Sequence, residues 1–471
     1  MIQITISHKI IPDVQKQISS CYNFVTVICG LAFGGLLFTT FRIWRYAMRK
    51  RHYLKAAFVG GQLITGRHKA AIQDSLVMID HGGIIYAGER NYDMAPSLEG
   101  YEVIDVTGKT IMPGLIDSHL HFSGNLNDND SDWVREPLLQ KQVMAVQQAH
   151  ECLENGLTTV GEISRFGIPI RDMTNTGQMQ GPRVIATGRG FCATASHGDS
   201  HNCSIEEVNA GHPWAEAVDG PWELRKAVRR RLRECPDAIK IWATGGGIYR
   251  WDTSRDHHYT YEEIRAVVEE SAMRGIPVWS HTYGATTPSV DAGADFIIHG
   301  FEINESDMEK MYKKGIYFCP TINFLPAWLS TYPPQYIPGV HDKYEGRTLI
   351  EKELARLYDN VNKAYKMGVI ITVGSDSFNS DSTPYGVTAI GEIHRFVDSC
   401  GMSEMDAIIA GTANGARALG CYHITGSITR GKNADMLVIN GDPLKSIYDI
   451  NVDNMDMIIK DGEEVLRYKG K

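Results

Sequence analysis

The run Ile111-Met-Pro-Gly-Leu-Ile-Asp-Ser-His-Leu-His-Phe122 decides how this chain is read. Apolar residues lead into two histidines spaced i and i+2. Successive side chains of a strand alternate faces, so His119 and His121 point the same way. A near-continuous apolar lead is the pattern of a strand buried on both faces, and it puts the histidines at the strand's end. Two imidazoles on one face can grip one divalent metal. An exposed strand can carry the same pair with no such role, so residues farther along the chain must decide between the two.

Seven further apolar runs lie at 157–163, 183–188, 238–243, 277–281, 296–299, 316–320 and 369–376. Helix-like stretches lie between them, at 138–154, 222–234, 261–274, 305–314 and 349–367. Thr260 precedes Glu262 and Glu263, and Ser403 precedes Glu404, as capping residues with acids in the first turn do. Strand alternating with helix over about 300 residues implies a parallel sheet, and eight such units predict an α/β fold of the (β/α)8 TIM-like barrel type, with its chemistry at the strand C-termini. The flanks read differently. From Lys55 to Thr110 short strands are punctuated by turn residues, and a matching all-β piece closes the chain at 434–440 and 456–467. The expected organisation is a catalytic barrel over 111–425 and a small β-sandwich composed of 55–110 and 426–471.

The polar residues at the predicted strand ends form a set. The first strand ends on His119 and His121. The fourth carries Lys240 inside an apolar run, where lysine is rarely found unless paired or modified. The fifth ends at His281, the sixth at His299, the eighth at Asp376. All would face one barrel mouth, which makes a metal site the expectation. Glu162, near the end of the second strand, is a weaker candidate for a bridging ligand or a group behind the ligands. The stretch 192–203 holds two cysteines, two histidines and an aspartate, but its spacing matches no standard zinc pattern and reads better as an active-site loop.

With these residues in view, the chain resembles the amidohydrolase superfamily over roughly 55–471. The segments that carry the resemblance are Pro113-Gly-Leu-Ile-Asp-Ser-His-Leu-His121, Lys240, His281, His299, Gly374-Ser-Asp376, Thr412-Ala-Asn-Gly-Ala-Arg-Ala-Leu-Gly420 and Gly426-Ser-Ile-Thr-Arg-Gly-Lys-Asn-Ala-Asp435. The resemblance implies two divalent metals, usually Zn2+: one on His119, His121 and Asp376, a more exposed one on His281 and His299. Lys240 would be carboxylated by carbon dioxide and bridge the two through its carbamate oxygens. Within the superfamily the chain looks closest to the imidazolonepropionase-like branch, with its Xaa-Pro carboxypeptidase-like enzymes, N-acyl amino acid amidases and ochratoxin-hydrolysing enzymes. Thr194-Ala-Ser-His-Gly-Asp199, Gly245-Gly-Gly247 and His281-Thr-Tyr-Gly284 support that placement, while Ile248-Tyr-Arg-Trp-Asp252 departs from the commoner small-residue version.

The implied reaction is hydrolysis of a carbon–nitrogen amide bond, in a dipeptide or N-acyl amino acid, by a metal-activated hydroxide. Asp376 would accept the water proton and pass it to the leaving amine. His197 and Tyr283 would steady an oxyanion or a substrate carboxylate, and Arg250 would pair with a carboxylate; the plainer alternatives are that Tyr283 packs in the wall and Arg250 lies on a solvated loop. Hydrolysis of a cyclic amide, or deamination, is the alternative activity, and Lys240 argues against the one-metal deaminases. A catalytically inactive scaffold is a remote third reading, since all six ligand positions are filled.

Composition sets the remaining bounds. The 471 residues are 43% hydrophobic and 22% charged, enough for one large and one smaller domain. A net charge of −9 gives no support to a nucleic-acid surface. Nine scattered cysteines, none in Cys-x-x-Cys, fit a reducing compartment. Residues 1–54 stand apart. A mostly apolar stretch predicts a transmembrane helix over about 24–44, flanked by Tyr22, Trp44 and Tyr46. The basic cluster Arg42, Arg45, Arg49, Lys50, Arg51 and Lys55 comes after it, which predicts a membrane anchor with the catalytic domain facing the cytoplasm; a soluble cytoplasmic protein is the alternative. The resemblance implies assembly into a homo-oligomer and a small-molecule amide substrate.

Overall fold

The architecture comes from a computed structural model, which describes residues 51–91, 95–125, 129–246, 252, 256–331 and 343–467. The run 111–121, expected as one strand, is two. Lys109–Pro113 belongs to one sheet and Leu115–Leu120 to another. Gly114 is the break: a β-carbon there would stand 2.2 Å from Thr158 Oγ1, so only glycine lets the chain cross that close to its neighbour. Both pieces are buried, which is why one continuous apolar run encodes them.

Leu115–Leu120 is the first strand of the barrel. Leu157–Glu162 and Arg183–Ala186 come next in parallel register. The chain then continues as a short strand, Gly190–Cys192, which pairs with the fourth barrel strand, Ile239–Trp242. The third and fourth strands are also joined where Asp237 N–H donates to Ala186 O at 2.8 Å and Ala186 N–H donates to the Asp237 carboxylate at 2.9 Å. Val278–Thr282, Phe296–His299 and Tyr317–Cys319 complete the fifth to seventh strands.

The expected eighth strand, 369–376, is pinned only at points. Phe318 bridges Ile371 on one side, and Leu120 bridges Ser377 on the other. Ser118 N–H donates to Val373 O, Asp376 N–H to His119 O, and His121 N–H to Ser377 O, each at 2.8 Å. This segment closes the barrel beside the first strand. Helices Leu138–Glu154, Pro221–Leu232, Tyr261–Ala272, Glu305–Lys314 and Lys343–Lys366 cover it; the last begins before the predicted 349. Thr260 forms a capping box with Glu263, and Ser403 accepts the Asp406 N–H.

Segments from either side of the barrel meet in one sheet. Glu463–Arg467, Met455–Lys460 and Met436–Asn440 pair antiparallel in that order, and Met436–Asn440 pairs in turn with Lys109–Pro113. A second sheet, ordered Gly83–Glu89, Ser75–Asp80, Ala56–Val59, Glu102–Asp105, shares a core with it through Phe58, Val77, Ile79, Ile111, Val438 and Ile459. Buried Arg183, on the third barrel strand, donates to Asp435 and Asp461 at 2.5 Å each and ties this layer to the barrel.

The expected hydrophobic helix at about 24–44 lies outside the described residues. Among the described residues no helix is long and apolar enough to cross a membrane.

Candidate metal centre

His119, at the end of the first strand, points Nε2 at Asp376 Oδ1, 3.1 Å away. His121 points its own Nε2 at the same oxygen, at 3.2 Å. The three ligand atoms lie within 4.8 Å of one another, and among the described residues this is the one group of three or more His, Cys, Asp or Glu side chains so placed. The stretch 192–203 forms no such group there.

His281 and His299 stand beside the trio. The His299 ring is 5.3 Å from that of His119 and 4.5 Å from that of His281. Lys240, on the fourth strand, is 1% exposed, and its Nζ has no hydrogen-bond partner. The sequence-predicted ligands therefore lie at the C-terminal ends of the first, fifth and sixth strands and of the closing segment, with Lys240 inside the fourth strand.

Burial sets the protonation of this cluster. It pushes His119 down to about 3, and holds His281 and His299 well below the ordinary imidazole value, with the neighbouring histidines and Lys240 adding to the effect on His281. Burial pushes Asp376 up, but His119 and His121 overcome it and hold the carboxylate well below its usual range. The combination that holds for the pair is a neutral His119 beside an ionised Asp376, because His119 is enclosed while Asp376 keeps 15% of its side chain exposed. Burial lowers Lys240 to about 7, so its free amine is well populated at neutral pH.

These groups fit a divalent cation. The His121 Nδ1–H is committed to Ile163 O at 2.8 Å, and the His299 Nδ1 is engaged with the Thr321 hydroxyl at 2.7 Å. His121 therefore offers an Nε2 lone pair. In His121 that lone pair faces a carboxylate oxygen, two acceptors opposed, an arrangement a cation between them makes favourable. His281 Nε2 and Lys240 Nζ are buried polar atoms without hydrogen-bond partners, as ligands for a cation would be.

Sequence reading missed Asp117. It is fully buried, and its Oδ1 accepts the N–H groups of both His119 and Ser375 at 3.0 Å, while Oδ2 accepts the Ser375 hydroxyl at 2.5 Å. One carboxylate thus fixes the backbone at two predicted ligands, His119 and the neighbour of Asp376. The signal was present, since Asp117 is i−2 from His119. Glu162 has a different place from the bridging role considered for it. Its Oε1 accepts the Phe122 N–H at 2.9 Å, and burial raises it to about 8.

Tyr283 stacks on His299 at 4.6 Å and meets Phe301 edge-on at 4.2 Å. Burial keeps its phenol protonated, a hydrogen-bond donor. His197 stacks on His281 at 4.7 Å. On the opposite flank, Trp214 lies 4.9 Å from His121 and packs with Trp133 and Phe378. Arg250 lies outside the described residues.

The sequence pattern of the amidohydrolase family matches residues 110–465. The chain belongs to the amidohydrolase family. It is 29% identical to the ochratoxinase of Aspergillus niger over 362 residues, 72% of this chain and 71% of that protein. The crystal structure of A. niger ochratoxinase superposes with a TM-score of 0.78 at 24% identity, covering 89% of this chain and 97% of that one. A Xaa-Pro dipeptidase with bound methionine in its active site gives 0.73 at 28% identity, over 88% and 100%. Imidazolonepropionase of Porphyromonas gingivalis is 23% identical over 425 residues, 83% of this chain and 89% of that protein. As an amidohydrolase, the protein is a hydrolase of carbon–nitrogen bonds from a family that works with divalent metals, on a TIM-like barrel.

Proposed function

We propose that the chain hydrolyses the amide bond of a dipeptide or an N-acyl amino acid with two zinc ions, one on His119, His121 and Asp376 and one on His281 and His299. Lys240, carboxylated by carbon dioxide in this reading, would offer its carbamate oxygens as further anionic ligands to the metals. The observation that carries it is the Lys240 amine, buried near His119 and His281 with no hydrogen-bond partner for its nitrogen. An ammonium there repels a cation, whereas a carbamate supplies an anion with two donor oxygens. The metals supply Lewis acidity toward the amide carbonyl and lower the pKa of water toward neutrality.

The chain's own side chains do the rest. Asp376, ionised and partly open to the mouth, accepts the proton of the attacking water and returns it to the leaving amine. Tyr283 keeps its O–H and donates it toward the substrate's oxygen. His197 presents its Nε2 to the substrate, with Nδ1 already engaged. In this reading 111–425 is the catalytic barrel, and 55–110 with 426–471 a sandwich that braces it.

The test is the full-length protein loaded with zinc, incubated with dipeptides, Xaa-Pro compounds and N-acyl amino acids, with products tracked by mass spectrometry. Cleavage of a subset, abolished in Lys240→Ala, is the expected result. Two bound metals with no amide cleaved, but turnover of a lactam or release of ammonia from an amino-substituted ring, would replace this reading with cyclic-amide hydrolysis or deamination.

A further inference from the structure

His197 is held on three sides. One ring face stacks on His281, with centroids 4.7 Å apart and planes within 25°. On Gly246, an added β-carbon would fall 2.0 Å from His197 Cε1 and 2.4 Å from Nε2, so the ring occupies the space a side chain would need. At the ring's edge, Nδ1 is 2.8 Å from Asp252 Oδ2. Asp252 is fully buried, and its Oδ1 accepts the Gly246 N–H at 2.8 Å. The carboxylate therefore grips the ring and the glycine together. The base of this loop is fixed in turn: Thr244 bridges His257, and the His197 N–H donates to His258 Nδ1 at 3.3 Å.

A buried carboxylate between two donors is a costly thing to keep. Its solvation is lost, and it is retained where its geometry is used. Here the geometry removes the freedom of one side chain. With Nδ1 taken and both faces covered, Nε2 is the only polar atom His197 offers a substrate, and the ring is 16% exposed. A group held this way meets the substrate without reorganising. It also gives a physical account of Gly246 and of an aspartate in a stretch where the sequence departs from the small-residue pattern.

We propose that Asp252 and Gly246 are positioning residues that lock the plane and the free nitrogen of His197 for amide hydrolysis. The inference rests on the function proposed above. Its chemistry is orientation, so no bond is made or broken by Asp252.

The test pairs structure with kinetics on the full-length, zinc-loaded protein. Crystal structures of the wild type and Asp252→Ala should show the His197 ring turned off His281 in the variant. A ring that keeps its stacked position overturns the clamp, whatever the activity. In kinetics, Asp252→Ala should lower kcat about 10²-fold, the scale of a 1 Å misplacement, with unchanged zinc content. Asp252→Asn keeps one oxygen for the Nδ1–H but turns its amide NH2 toward the Gly246 N–H, so it should recover only part of that loss. His197→Ala with Asp252→Ala should be no slower than His197→Ala alone, because both act through one ring. Losses that multiply in the double variant, or full activity in His197→Ala, overturn the proposal. Should Asp252→Ala fail to fold, Gly246→Ala, which drives a methyl into the ring, carries the same comparison. A wild type that cleaves no amide defeats the functional reading alone, since the ring position still decides the clamp.

Discussion

Removing the Asp117 carboxylate should dismantle the metal centre without touching a ligand. In Asp117→Ala three hydrogen bonds disappear, and two of their donors are buried backbone N–H groups, those of His119 and Ser375. Each orphaned group costs about 1–3 kcal/mol, so about 2–6 kcal/mol is at stake before the packing loss is counted. That strain falls where it matters, because the two N–H groups belong to a predicted ligand and to the neighbour of another. Loss of a group that orients metal ligands lowers metal affinity 10- to 100-fold as a rule, or about 1.4–2.7 kcal/mol. Asp117→Asn separates charge from geometry. Its Oδ1 can still accept both N–H groups, and its amide can donate to the Ser375 hydroxyl, so binding should stay within about tenfold of wild type. Zinc affinity is measured by competition with a chelator, alongside total metal per chain. Wild-type affinity in Asp117→Ala would refute the argument that this carboxylate builds the site.

Three further outcomes come from the same geometry. Glu162 holds its proton up to about 8 in the folded state and up to about 4.5 unfolded; its stabilising contribution is complete below the lower value and lost as pH rises to the upper. At about 1.4 kcal/mol per pH unit the loss is at most roughly 5 kcal/mol, so Glu162→Gln should flatten the fall of the urea midpoint between pH 5 and pH 9, and an unchanged slope would count against it. Arg183→Met leaves Asp435 and Asp461 without their shared guanidinium and should cost about 3–5 kcal/mol, read as a lower denaturant midpoint. Thr321→Val removes the hydroxyl that engages the His299 Nδ1 and should weaken zinc binding about 10-fold while leaving the fold intact, checked by chelator competition and circular dichroism.

Much of this was legible because metal chemistry puts unusual residues where packing would not. A histidine pair at i and i+2, or a lysine inside Ala238-Ile-Lys-Ile-Trp242, contradicts the apolar pattern around it and so stands out. Where the structure obeys the pattern, the sequence is silent. Pro113-Gly-Leu115 is apolar in both sheets it joins, and nothing in its composition marks the change of layer. The closing segment 369–376 has strand-like residues, yet its pairing is reduced to isolated bridges, Ile371 with Phe318 and Ser377 with Leu120. Asp117 and Asp252 were overlooked for another reason. Each has one partner close in sequence, the N–H of His119 or of Gly246, but the second partner, Ser375 or the His197 ring, comes from a distant part of the chain, and no local spacing encodes that.

The backbone itself argues that the cluster is built for a purpose. His299 (φ 72°), Asp376 (φ 54°), Thr321 (φ 50°) and Ala195 (φ 62°) all adopt the left-handed region, which branched and bulky residues avoid. Three of them close around one point: Thr321 holds His299, and Asp376 faces the first-strand histidines. Such conformations cost about 1–3 kcal/mol each and persist only where the surroundings over-determine them. Here the surroundings do so, through the Asp376 N–H on His119 O and the Thr321 hydroxyl on the His299 ring. Glycine would relieve the backbone at 299 or 376, but it has no nitrogen or carboxylate to offer. The strain is thus tied to the side chains, and a fold that bears it at two of the proposed ligand positions keeps it for the sake of those side chains.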